Sequence, residues 1–256
     1  MYYYGKSDTG MRRNINQDRF CCKKIWGNTA LLCVVCDGIG GHKAGEIASA
    51  MAVDVFCTAV SVAPFTPDRN MKNRVANMKQ IMLESARYAN KEIYDASRSD
   101  ESLSGMGTTI VAALITDNTL FCFSAGDSRL YLINSDAPVQ ITRDHTFTQR
   151  LLELHRISPE EAKTTMKSNV ITRAMGIEED LQVDWFAIDL EKHVGSHILL
   201  CTDGLTNHLT DEDIFDIVAS VPSDSNETVQ DKVARLIDTA NANGGSDNIT
   251  ALLIAI

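Results

Sequence analysis

No stretch of this chain approaches the roughly 20 consecutive apolar residues that a membrane-crossing helix needs. It also lacks any run of about five like charges, so no acidic or basic tail is expected. The first residues, Met1-Tyr2-Tyr3-Tyr4-Gly5-Lys6, show no charged start, apolar centre or small-residue cleavage site, and no secretory signal is expected. Positive charge is scarce: 24 Lys and Arg stand against 34 Asp and Glu, a formal net charge of −10. That balance argues against a nucleic-acid partner, which selects for a basic stripe. Internal repeats and low-complexity linkers are missing as well. The expectation is a soluble, cytoplasmic monomer with one domain over 1–256 and neither a membrane nor a nucleic-acid partner.

Cysteine is present but not arranged as a framework. The seven cysteines are odd in number, and Cys33 and Cys36 form a C-x-x-C inside an apolar stretch with no second pair at zinc-ligand spacing. They read as reduced, largely buried thiols in a reducing compartment.

What the chain does have is core material, 44% hydrophobic residues. Short apolar runs predict strands over 2–6, 19–25, 31–36, 108–116, 120–125, 129–133, 139–142, 183–188, 197–201 and 248–256. Helical spacing predicts helices over 43–62, 72–97, 211–220 and 228–242, and a polar helical stretch over 145–168. Asp117-Asn118 reads as a two-residue hairpin turn, and Ser158-Pro159-Glu160-Glu161 as a helix start. Many strands, two pairs of long helices and no βαβ alternation indicate layered α+β, two sheets covered by helices.

Five aspartates stand in turns flanked by Gly or Asn: Asp18, Asp37, Asp127, Asp203 and Asp247. Asp37, Asp127 and Asp203 follow apolar runs that read as buried strands. Carboxylates at strand ends beside glycine suit a hard divalent cation, because small neighbours let backbone and water approach the metal. Such ions also give an acidic protein the local positive charge to bind a phosphorylated substrate. Arg13, five residues before Asp18, offers a guanidinium fork for a phosphate. Gly40-Gly41 is followed by no Gly-Lys-Ser/Thr, so a Walker loop is excluded. Arg129 and Asn248 are expected to support the site by hydrogen bonds, and Thr108 and Thr109 to pack. His145, His155, His193, His197 and His208 have no metal-ligand spacing and read as structural or surface residues.

The order of these motifs resembles the bacterial type 2C metal-dependent Ser/Thr protein phosphatases, the PPM family. The matching stretches are Arg13-Asn14-Ile15-Asn16-Gln17-Asp18, Asp37-Gly38-Ile39-Gly40-Gly41-His42, Gly107-Thr108-Thr109 and Gly126-Asp127-Ser128-Arg129. Further along come Asp144-His145-Thr146, Ile171-Thr172-Arg173-Ala174-Met175-Gly176, Thr202-Asp203-Gly204-Leu205 and Gly245-Ser246-Asp247-Asn248-Ile249-Thr250. The resemblance implies a four-layer αββα sandwich, two central antiparallel sheets flanked by helix pairs, with a flap at about 146–170. It implies Mn²⁺ or Mg²⁺ as cofactor, two core ions and a weaker third. Asp37 would bridge the core ions, Gly38 would offer its carbonyl to one, and Asp203 and Asp247 would complete the other. Asp127 would serve the third ion with Asp203, Asp18 would hold a water on the metal, and Arg13 would bind the substrate phosphate.

The implied reaction is hydrolysis of phosphoserine and phosphothreonine in proteins by direct attack of metal-activated water, without a phosphoenzyme. It would oppose a eukaryotic-type Ser/Thr kinase in a bacterium. Two departures from the family pattern stand out. Ile39 occupies the place where some relatives carry a histidine after Asp-Gly, so that a hydrated metal, another group, or His42 from three residues on would protonate the leaving alkoxide. Thr165-Met166 replaces the usual His-Pro near the end of the flap. A metal-binding module without activity, and a two-metal hydrolase of nucleotides or small phosphate esters, are the rival readings.

Overall fold

The computed structural model describes residues 1–41, 44–65, 70–164, 170–219 and 225–256. Two antiparallel sheets lie face to face. The first contains β1 (Tyr2–Asp8), β11 (Ile249–Ala255), β10 (His197–Cys201), β7 (Arg129–Ile133) and β8 (Pro138–Gln140), in that spatial order. The second runs β2 (Asp18–Ile25), β3 (Ala30–Ile39), β5 (Ile110–Thr116), β6 (Thr119–Ala125) and β9 (Asp184–Asp189), with the short β4 (Gly107–Thr108) paired to the end of β3.

Three apolar layers hold the stack. Between the sheets, alternate residues of both meet: Cys33, Val35, Val111, Leu120, Ile198, Leu200 and Leu252 are all buried there. Helices α1 (Ala44–Val62) and α2 (Met71–Ser99) cover the outer face of the second sheet, burying Phe56, Met82 and Ile93. Helices α6 (Asp211–Ala219) and α7 (Asn226–Ala242) cover the outer face of the first, burying Ile214, Val233 and Leu236. This is the four-layer αββα arrangement implied by the resemblance. By length and composition alone α1 could cross a bilayer. Here its apolar stripe, with Ala48, Ala52 and Phe56, is buried against the sheet.

The expected elements occur with small shifts at their ends. Asp117 and Asn118 both have positive φ, 46° and 56°, as a type I′ turn requires. Ser158 and Glu161 exchange backbone-to-side-chain hydrogen bonds at the start of α4 (Pro159–Thr164), closing a capping box. The expected strand over 108–116 is broken at Thr109, whose N–H leaves the ladder to donate to the Asp37 carbonyl. The expected strand over 139–142 is the shorter β8, at the edge of its sheet. The helical stretch after residue 145 is two short helices, α3 (Phe147–Glu153) and α4. It springs from a bridge between Thr146 and Ile171. His42 and Thr165-Met166 lie outside the described residues.

Topology decides where the aspartates fall. β3 and β6 each pair with β5 in antiparallel fashion, so their C-terminal ends share an edge of the sandwich, and β2, antiparallel to β3, begins there. In the other sheet β10 ends where β11 begins. Asp18, Asp37, Asp127, Asp203 and Asp247 all occupy these ends.

At this edge β3 and α1 approach closely through two glycines. A Cβ on Gly38 would lie 2.1 Å from the Gly45 carbonyl oxygen. Gly38→Ala is therefore expected to cost roughly 2–4 kcal/mol, since overpacking against backbone cannot relax cheaply. Gly27→Ala, in open space at φ +65°, should cost only about 1 kcal/mol. Urea unfolding of both variants tests this; equal losses would contradict it.

Candidate metal centre

Each aspartate is held by its own local device. Asp18, at the start of β2, is 1% exposed. Its Oδ2 accepts hydrogen bonds from Thr202 Oγ1 at 2.9 Å and Thr250 Oγ1 at 2.7 Å. Thr250 lies in β11 of the opposite sheet and Thr202 directly follows β10, so the bonds also tie the layers together. Asp18 Oδ1 is buried without a partner.

The backbone of Asp37 is fixed on both sides. Its N–H donates to Thr109 Oγ1 at 2.9 Å, and its carbonyl accepts from Thr108 Oγ1 and the Thr109 N–H, each at 2.8 Å. Thr109 Oγ1 also bonds Ser128 Oγ at 2.7 Å. Thr108 and Thr109, expected only to pack, are thus the bracket that orients Asp37.

Asp203 opens the short helix α5 (Asp203–Thr206), and its Oδ2 accepts from Asn207 Nδ2 at 3.0 Å. Its Oδ1 is buried without a hydrogen-bond partner in the structure, and its charge is among those that push the Asp37 carboxyl up. Asp247 sits in the loop before β11. One of its oxygens accepts from the Asn248 N–H and the other from Arg13 Nη2, both at 2.8 Å.

Arg13 is half exposed and paired with Asp247. Its loop is held by Asn248, which is buried and makes three bonds to it. Asn248 Oδ1 accepts from the Gln17 N–H, and Nδ2 donates to the Thr9 and Ile15 carbonyls. His208 Nε2 accepts from the Ser246 N–H at 2.9 Å and steadies the same corner.

Asp127 is buried beside Arg129, whose fork is bidentate on Asp144 at 2.9 and 2.6 Å. A small recess of about 180 Å³ is lined by Asp127, Asp144, Asp203 and Asn207. His145 is buried; its Nδ1 accepts from the Gly126 N–H, and its Nε2 faces Asp184 and Arg173. It is structural, as its spacing indicated.

The electrostatics follow from this crowding. Burial raises the Asp18 carboxyl to about 7 against the help of its two threonine donors, with Asp203 and Asp247 adding repulsion. Burial and the charge of Asp203 raise Asp127 to about 7. Asp37 is pushed well up by burial and then by Asp18, Asp203, Asp127 and Asp247. Asp203 is raised by burial and Asp247. Among the described residues, no three Asp, Glu, His or Cys side chains are already drawn to ligand spacing. The donor set still fits a hard cation. It consists of like-charged oxygens in a desolvated setting, with two buried carboxylate oxygens lacking donors.

The chain matches the protein phosphatase 2C family over residues 9–249. It is 34% identical to the serine/threonine phosphatase stp of Listeria monocytogenes serotype 4b (strain F2365), over 97% of this chain and 93% of that protein. Its fold superposes on the crystal structure of the serine/threonine phosphatase Stp1 from Staphylococcus aureus with a TM-score of 0.86, at 32% identity and covering 99% and 94% of the two chains. A TM-score of 0.79, with 31% identity and coverage of 98% and 96%, relates it to the catalytic domain of the serine/threonine protein phosphatase PstP in complex with two manganese ions. Fold and site together define a metal-dependent protein-serine/threonine phosphatase, and this chain belongs to the protein phosphatase 2C family.

A carboxyl whose pKa is raised by folding binds protons as the chain folds. Without metal, the fold should be most stable below the unfolded carboxylate range and lose stability as pH rises from about 4 to about 7. Metal should reverse this trend. Asp203→Asn removes one repelling charge, so it should raise the melting temperature of the EDTA-treated protein at pH 8 by a few degrees while shrinking the gain from Mn²⁺. Thermal melts with EDTA and with Mn²⁺ check both; a variant less stable than wild type in EDTA would contradict the repulsion.

Proposed function

We propose that this protein hydrolyses phosphoserine and phosphothreonine in protein substrates with Mn²⁺ or Mg²⁺ at two core positions and a weaker third. The observation that carries the reading is the pair of buried carboxylate oxygens without hydrogen-bond partners, on Asp18 and Asp203, at the edge of the sandwich where Asp37 and Asp247 also lie. Asp37, Asp203, Asp247 and the Gly38 carbonyl would hold the core ions, and Asp127 with Asp203 the third. When bound, divalent ions lower the pKa of water and neutralise charge on the phosphoryl group.

The chain's own groups do the rest. Asp18 Oδ1, buried and without a donor, would accept a hydrogen bond from a water entering the site and so orient it. Arg13 would exchange its Asp247 oxygen for phosphate oxygens, a bidentate match for its fork. Asn248 supports this by fixing the Arg13 loop. Beside the Asp37-Gly38 corner opens a cleft of about 710 Å³, with Ile39 on one side and the 171–182 segment on the other. This cleft, with the flap at about 146–170, would receive the polypeptide around the phosphorylated residue. We place the protein in the bacterial cytoplasm as a monomer of one domain, opposing a eukaryotic-type Ser/Thr kinase.

Phosphate release from a phosphothreonine peptide should require Mn²⁺ or Mg²⁺ and stop with EDTA. In Arg13→Ala, KM should rise roughly tenfold with a smaller loss of kcat, the effect of removing one charge-assisted contact. Faster turnover of nucleotides than of phosphopeptides, or no release from the folded protein with any divalent ion, would overturn the assignment.

A further inference from the structure

The thiols of β2 take no part in the centre described above, yet their placement is specific. Cys22 and Cys33 are directly opposed across β2 and β3, with Sγ atoms 3.0 Å apart. The Gly38 N–H donates to the Gln17 carbonyl, which makes 17 and 38 a hydrogen-bonded pair. The ladder runs unbroken from Asp18↔Asp37 to Ile25↔Ala30, so hydrogen-bonded and non-hydrogen-bonded pairs alternate along it. Cys22↔Cys33 and Asp18↔Asp37 are both of the non-hydrogen-bonded kind, which brings Cα atoms to about 4.5 Å and side chains closest. Disulfides span Cα separations of about 4.4–6.8 Å. Cys33 is fully buried in the layer between the sheets, and Cys22 is half-buried on the edge strand.

We propose that Cys22 and Cys33 are an oxidisable pair that a peroxide closes into a reversible disulfide, stapling the two strands that carry Asp18 and Asp37. The Cys22 thiol gives up its proton as its sulfur attacks one peroxide oxygen; the O–O bond breaks, the departing hydroxide takes that proton and leaves as water, and a sulfenic acid remains on Cys22. Cys33 sulfur then displaces the sulfenic oxygen, which departs as water with the Cys33 proton. Two thiols are oxidised and one hydrogen peroxide is reduced to two waters. The sulfur atoms need to close from 3.0 Å to about 2.05 Å, so the ladder keeps its register. The staple sits on the same face as Asp18↔Asp37, separated from it only by Phe20↔Val35. Oxidation thus fixes the strand pair without touching the carboxylates, and thiol reductants restore its freedom.

A competing pair exists on the other face of β2. Half-buried Cys21 packs against the layer that contains Cys57 of α1, and the neighbouring Cys57 thiol lowers its pKa to about 7. The experiment must therefore distinguish the two. Native protein is treated with hydrogen peroxide in EDTA, alkylated and digested without reductant, and the cross-linked peptides are identified by mass spectrometry. The same is done for Cys57→Ala and Cys22→Ser. The expected result is a Cys22–Cys33 link in wild type and Cys57→Ala, lost in Cys22→Ser and reversed by dithiothreitol. The oxidised wild type should also melt a few degrees higher than the reduced form, since the bond closes a short loop. A link confined to Cys21–Cys57, a sulfinic acid on Cys22 with Cys33 free, or a Cys22 that stays unmodified would each overturn it.

Discussion

Mutual repulsion among desolvated carboxylates is the constraint around which this molecule is organised. Four aspartates sit at one edge of a two-sheet sandwich with pKa values raised by burial and by the charges of their acidic neighbours. Such a cluster opposes folding. The scaffold carries it through a deep apolar layer between two antiparallel sheets and hydroxyl bonds that reach across from one to Asp18 of the other. The strain is local and electrostatic, and a divalent cation relieves it.

The scaffold also limits how the cluster can relax. Thr202 and Thr250 hold one Asp18 oxygen and leave the other without a donor. Thr108 and Thr109 clamp the Asp37 backbone, and Gly38 and Gly45 let α1 press on the strand end. The Arg13 guanidinium, paired with Asp247, is kept on a loop tied by Asn248 to the opposite end of the chain. A cation held inside the cluster would have been a permanent neutraliser; one held at the rim can change partners when a substrate phosphate arrives.

Much of this was legible in the sequence, for identifiable reasons. Strand-end aspartates beside glycine are visible because both halves of the signal, the apolar run and the turn, are local. The Asp117-Asn118 turn and the Ser158 capping box were readable on the same grounds, and both have the expected geometry. What stayed hidden depends on distant chain segments meeting. Nothing around Thr202 or Thr250 says that their hydroxyls converge on Asp18, 184 and 232 positions away along the chain. Thr108 and Thr109 look like ordinary strand residues until β4 is seen beside Asp37. The pairing of Cys22 with Cys33 follows from ladder register alone, which composition cannot supply.

The folded, metal-free cluster carries protons that a cation must expel. Calorimetric titration of Mn²⁺ into the EDTA-cleared, dialysed protein at pH 7, repeated in buffers of different ionisation enthalpy, counts those protons directly. Net release of about one proton or more per protein molecule is expected, because burial and mutual repulsion raise Asp18 and Asp127 to about 7 and push Asp37 well up. Tight binding with no proton released would contradict it, showing the carboxylates to be ionised before the metal arrives.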